Sequence, residues 1–193
     1  MSHAYQIILT VAVTLLCGCT QSGEKVVPLP PAYPRIEVYP PEYTPYGEMA
    51  FEANAKAVAE LEPRPDSNEW LTLTYPQFGA TIHLSYHPGL TPEKQREMWL
   101  NRQQRMSLNS GGLPSEAVTL TTPAGWKAEL MITPQGSPTP VQFVASGMRH
   151  GNPAILTGGA TLSITPVSAD SIAPVVKMLE RDIIHALNSL PYD

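Results

Sequence analysis

Past residue 19 the 193-residue chain has no cysteine. A domain without thiols can build neither a disulfide framework nor a thiolate metal site. Basic residues are scarce too: 12 Lys and Arg stand against 17 acids, a formal net charge of −5. A nucleic-acid partner held through phosphate contacts is thereby excluded as the expectation. After the N-terminal run no stretch is apolar for long enough to span a bilayer as a helix. There is no Gly-rich phosphate loop beyond the pair Gly111-Gly112, which reads as a turn, and no nucleophile-elbow motif. What the chain has in excess is proline, 21 residues, which suits extended segments hung on one domain.

The apolar run 7–16 (IILTVAVTLL) has the length of a signal-peptide core. It leads into Leu16-Cys17-Gly18-Cys19. This resembles the bacterial lipobox, with Leu at −3 and a small residue at −1. By that resemblance cleavage falls between Gly18 and Cys19, and the Cys19 thiol is lipidated. Cys17 fits the register badly and leaves with the peptide. The n-region carries no Lys or Arg, and the alternative is an ordinary secretory signal. After the cleavage point, 20–24 (TQSGE) lacks the Asp at the second position that sets sorting elsewhere. It also lacks an acidic export run. The expected address is therefore the outer membrane, facing the periplasm.

Residues 26–45 include Pro28, Pro30, Pro31, Pro34, Pro40, Pro41 and Pro45, so they form neither a helix nor a central strand. The expected division is a signal peptide over 1–18, a lipidated N-terminus and Pro-rich tether over 19–45, and one domain over 46–193. Within the tether, 34–46 offers Ile36, Val38 and several tyrosines as surface to lie along that domain.

The domain's most organised stretch is 70–87, WLTLTYPQFGATIHLSYH. Two alternating runs flank Pro76-Gln77-Phe78-Gly79, which reads as a β-hairpin at the centre of an antiparallel sheet. Short strands are expected at 49–52, 57–61 (where alanine fits a helical turn equally), 118–122, 126–133, 141–146 and 154–165. Gly158-Gly159 marks a bulge or a close backbone approach. Thr91-Pro92-Glu93 opens a helix over 92–108 with Trp99 and Met106 inward. The last helix carries Ile172, Val175, Val176, Leu179, Ile183, Ala186, Leu187 and Leu190 at steps of three and four. On it Glu180 and Asp182 read as the wet face. The fold class is α+β, an antiparallel sheet flanked by helices on its two faces.

The chemistry-bearing residues on the hairpin are His83, Ser85 and His87, which share one face of a strand. His83 and His87 stand roughly 13 Å apart along it, from a rise near 3.3 Å per residue. One metal cannot bridge that gap, and no metal or cofactor is expected. A Ser-His-acid arrangement can be drawn from Ser85 with either histidine, and a hydrolase built on Ser85 and His83 is its form, but nothing in the sequence supplies an oxyanion hole. With Trp126, these three form the candidate binding face, and the protein reads as non-enzymatic.

Pro34-Arg35-Ile36, the motif 76–86 (PQFGATIHLSY), Ser171-Ile172-Ala173-Pro174-Val175 and Asp182-Ile183-Ile184-His185 together resemble GldD, the gliding-motility-associated lipoproteins of Bacteroidetes. The resemblance runs from about residue 34 to 190 with the lipobox ahead of it. It implies an accessory lipoprotein of the gliding machinery, linked to type IX secretion, with envelope proteins as partners. The order of elements also resembles the Mog1/PsbP-type α/β/α sandwich. Three functions follow as rivals. An exposed apolar patch favours protein–protein contact. A concave pocket with convergent polar groups favours a ligand- or peptidoglycan-binding lipoprotein. Ser85 bonded to a histidine inside a cleft favours a hydrolase.

Overall fold

The computed structural model describes residues 36–46, 51–64, 68–133, 136–163 and 169–192. The signal segment, Cys19 and the first part of the tether lie outside them. The chain-order elements are β1 Tyr43–Tyr46, β2 Phe51–Asn54, β3 Val58–Pro63, β4 Glu69–Tyr75, β5 Ala80–His87, α1 Pro92–Asn109, β6 Glu116–Thr121, β7 Lys127–Ile132, β8 Val141–Arg149, β9 Asn152–Leu162 and α2 Ala169–Asn188. Strands β3 to β9 form one seven-stranded sheet in the order β3-β4-β5-β9-β8-β7-β6, while β1 and β2 pair separately. Every ladder in the large sheet is antiparallel.

The β4–β5 hairpin forms as its alternation predicts, with Leu71, Leu73, Ile82 and Leu84 buried. Its reversal is a single 3-10 turn over Pro76–Phe78, closed by Gly79 in the left-handed region at φ 55°. Glycine alone adopts that conformation without a Cβ penalty. The hairpin is not the sheet's centre. That place belongs to β9, which pairs with β5 on one side and β8 on the other. A pairing made across so many residues is a tertiary choice that local alternation does not encode.

Gly158 and Gly159 produce no bulge, since both ladders of β9 run through them in unbroken register. They mark close approach instead. A Cβ on Gly158 would strike the His83 carbonyl and come within 2.8 Å of the Phe143 ring. A Cβ on Gly159 would sit 2.9 Å from the Val141 carbonyl oxygen.

The two faces of the sheet differ. On one, Leu130, Phe143, Leu156 and Ile82 meet the apolar stripe of α2, where Val175, Val176, Leu179, Ile183, Ala186 and Leu187 are buried. Pro174 lies inside that helix, because the helix begins earlier than its apolar stripe. The segment carrying Ile36, Val38, Tyr39 and Tyr46 packs against the same core. On the other face a small cluster of Met106, Val144 and Ile155, with Met98 and Trp99 against it, seats α1. Thr91 Oγ1 caps α1 by accepting from the Lys94 N–H at 3.2 Å, with Pro92 behind it.

Candidate functional site

Helix α1 touches β8 and β9. Its apolar contact is slight, and polar side chains complete the seat. Gln95 Nε2 donates to the carbonyls of Gly147 at 2.9 Å and Ala154 at 2.8 Å. Arg102 donates through Nε to Phe143 O at 3.3 Å and through Nη2 to Gly158 O at 2.5 Å. Asn109 Nδ2 donates to Gln142 Oε1 at 2.8 Å. Burial, and then the neighbouring Arg105 charge, lower the Arg102 pKa. A guanidinium remains protonated regardless.

Beside α1 the same sheet face stays open over β4 and β5, and a cleft of about 410 Å³ runs there. Thr72, His83, Ser85, Thr157 and Gly159 contribute to its lining, as do Arg102 and Asn109 of α1. Register explains part of the hollow. His83 lies opposite Gly159, which lies opposite Gln142, so the middle of that cross-strand row has no side chain. A second hollow of about 320 Å³ shares Trp70, Ser85, Arg102 and Thr157 with the first and adds His87, Lys94, Asn101 and Arg105. The two are ends of one groove, with Ser85 where they meet. Trp70 stands half exposed at 47%, with the Arg64 guanidinium 4.0 Å from its ring centroid.

Ser85 is hydrogen-bonded to His87, its Oγ 2.8 Å from Nε2. The other ring nitrogen, Nδ1, is 3.1 Å from Asn68 Oδ1. An amide oxygen only accepts, so Nδ1–H donates to Asn68 and Nε2 is left to accept the Ser85 hydroxyl. Burial lowers the His87 pKa from its ordinary value of 6.5, which favours that neutral ring. The sequence left either histidine open as the partner of Ser85, and the structure assigns His87. His83 is exposed, with Nδ1 3.4 Å from Thr72 Oγ1. Residues 83, 85 and 87 thus share a face as expected.

Trp126 does not join them. It is 1% exposed and belongs to the α2-side core. A Cβ on Gly147 would run into its indole, so the bare glycine leaves room for the ring. An aromatic beside a strand looks equally ready for a ligand or for a core; the glycine across from it was the deciding signal.

Sequence reasoning also misplaced Asp182, which is 3% exposed rather than on a wet face. Its carboxylate accepts from Tyr43 Oη at 3.1 Å, Asn54 Nδ2 at 3.0 Å, Tyr75 Oη at 3.1 Å and Arg181 at 2.8 Å. Arg181 also donates to Tyr39 O at 3.0 Å, and Asn54 Nδ2 to Pro40 O at 3.1 Å. One turn on, His185 stacks on Tyr43 at 3.5 Å and meets Glu52 Oε2 at 2.7 Å. This cluster ties the N-terminal described segment to α2. With both carboxylate oxygens engaged by four side chains, it acts as a fastening.

Among curated protein sequences nothing matches the chain. The profile of a protein family does: that of the gliding motility lipoprotein GldD, over residues 23–192. That span takes in every strand and both helices described above, the groove between β5 and α1, and the Asp182 fastening. The chain belongs to the gliding motility lipoprotein GldD family.

Proposed function

We propose that this protein is a lipid-anchored accessory component of the gliding and type IX secretion machinery, working by contact with other envelope proteins. The observation that carries the reading is the family match across residues 23–192. Membership makes it a lipoprotein associated with the cell envelope. The finer points are ours: lipid on Cys19, removal of 1–18, a tether over 19–45, a domain over 46–193, and an outer-membrane position facing the periplasm. The likeness to the Mog1/PsbP-type sandwich belongs with them, supported by one helix on each face of the sheet.

The surface that best suits a partner is the rim of the groove. Trp70 is half exposed there, and away from the groove lining Leu100 and Leu108 are exposed on α1 at 53% and 70%. A photo-crosslinking residue at position 70 or 108, in intact envelopes, should trap secretion or motility components. Position 177, on the outside of α2, should trap none. Equal yields from all three positions would count against the reading.

A second reading has its own observation. The groove is concave and gathers hydroxyl, amide and guanidinium groups, the form of a ligand site. A ligand- or peptidoglycan-binding lipoprotein would use that groove, and soluble peptidoglycan fragments should then protect residues 83–85 from hydrogen exchange.

A further inference from the structure

We propose that Ser85 is a nucleophile, with His87 as its general base and Asn68 holding the imidazole, and that the groove cleaves carboxylic esters of hydroxyl-rich compounds. The proposal rests on the groove being a ligand site and goes beyond it by assigning a reaction. Three observations converge. The hydroxyl, the imidazole and the amide form one chain of hydrogen bonds, 2.8 Å and 3.1 Å long. The chain has the polarity that catalysis needs, since a nucleophile must give its proton to a base that a third group orients. And Ser85 lies where the two ends of the groove meet, so a bound molecule passes over its Oγ.

The surroundings set the substrate class. One end of the groove is lined by Thr72, Thr139, Thr161 and Asn109. These are donors and acceptors suited to several hydroxyls of an alcohol carrier. The other end is smaller and takes Lys94, Asn101, Arg102 and Arg105 from α1. Asn101 and Arg102 offer N–H donors there to a carbonyl oxygen that gains charge. Arg102 Nε and Nη2 are held on the Phe143 and Gly158 carbonyls, which fixes the guanidinium beside the strand.

The steps balance. Ser85 Oγ bonds to the carbonyl carbon as its proton passes to His87 Nε2. The carbon–oxygen bond to the alcohol breaks, and the departing oxygen takes that proton. Water then attacks the acyl-serine, giving a proton to Nε2. Ser85 recovers that proton as the carboxylic acid leaves and ionises. No oxidant, metal or cofactor enters.

The pH profile follows from the base. Charged or titratable groups around His87 are Lys94, Glu97, Arg102 and Arg105 from α1, and Arg149 and His150 from the β8–β9 turn. Burial opposes an imidazolium there. The rate should therefore rise with pH through an inflection below 6.5, the ordinary imidazole value, and stay level above it.

The test uses the full-length protein in detergent. An alkyl fluorophosphonate should form one adduct, mapped by mass spectrometry to Ser85, and 4-nitrophenyl acetate should be hydrolysed. Ser85→Ala and His87→Gln, checked for unchanged melting, should each lower that rate by about a hundredfold or more. Asn68 acts through His87 and is a positioning residue. Asn68→Asp places a carboxylate on Nδ1 and should move the inflection to higher pH, a shift that a merely structural bond would not produce. An O-acetylated oligosaccharide should release acetate faster than ethyl acetate does. A missing Ser85 adduct, or a Ser85→Ala rate equal to the parent's, overturns the nucleophile even where protection at 83–85 shows that the groove binds a ligand. Equal rates on the two acetate esters overturn the substrate class.

Discussion

Asp182 gathers more of this fold into one side chain than any other polar residue described. It is buried and accepts from Tyr43, Asn54, Tyr75 and Arg181. Asp182→Ala would strand buried donors that cannot reach water, and each such group carries a penalty of about 1–3 kcal/mol. We expect a loss of about 3 kcal/mol, given that the Arg181 end is partly solvated; a urea midpoint within error of the parent's would refute it. The Tyr75 hydroxyl adds a pH signature. Burial first, and then the Asp182 charge, hold its pKa above the usual 10.0. A raised folded value means stability that is whole below the unfolded value and lost as pH rises past it. The parent should thus weaken on going from about pH 9 to 11. Tyr75→Phe should start slightly less stable and show a smaller alkaline decline, measured by urea midpoints at the two pH values. The sequence held half of the Asp182 answer. Its position reads inward, three after Leu179 and four before Ala186, while its charge reads outward. The partners that reverse the charge argument come from β1, β2 and β4, remote in sequence. Ser85 and His87 were legible as co-facial from alternation alone. Which histidine meets the serine depends on side-chain direction and on Asn68, and neither leaves a mark in the pattern.

The elements were read best where one face is apolar and the other wet. In α2 the stripe through Val175, Leu179, Ile183 and Ala186 is buried as its period demands, while Lys177 is exposed. Leu179→Asp would set an unpaired charge among Leu130, Phe143 and their neighbours, and a charge in such a place is tolerated only when paired. We expect it to abolish the cooperative melt, whereas Lys177→Asp should leave the melting temperature within a few degrees; a normal melt for Leu179→Asp would dismiss the stripe. Helix α1 is a different kind of element. Among its side chains only Met106 is fully buried, and Leu100 and Leu108 face out. Its ends were legible from Thr91-Pro92 and Ser110-Gly111-Gly112, but its seat was not. Gln95, Arg102 and Asn109 hold it by hydrogen bonds to strands whose identity only the folded sheet reveals. The strands repeat the lesson: those of the large sheet were found to within a few residues, but β1, in the Pro-rich stretch, was not foreseen, and β9 displaced the hairpin from the centre because order in a sheet is fixed by long-range pairing.

At the scale of the whole molecule the sheet divides two tasks between its faces. The α2 face holds the core and clasps the segment from Ile36 to Tyr46 through Tyr39, Tyr43 and Asn54. The α1 face carries the groove, which none of the described residues of that segment lines. Residues 1–35 lie outside the described part, so the anchor stands on the lipobox resemblance and the family match. Each buried acyl methylene contributes about 0.8 kcal/mol, and one chain alone holds only marginally. A diacylglycerol on Cys19, as proposed above, would supply the second chain that lasting attachment needs. Cys19→Ala should therefore move the protein to the soluble fraction after envelope lysis. Its melting curve should match the parent's, because the fastening around Asp182 begins well after the anchor. Cys17→Ala should change neither, since the proposed cleavage after Gly18 would discard that thiol. A Cys19→Ala protein that stays with the membrane as firmly as before would mean that the uncleaved segment 7–16, or a bound partner, is what holds it.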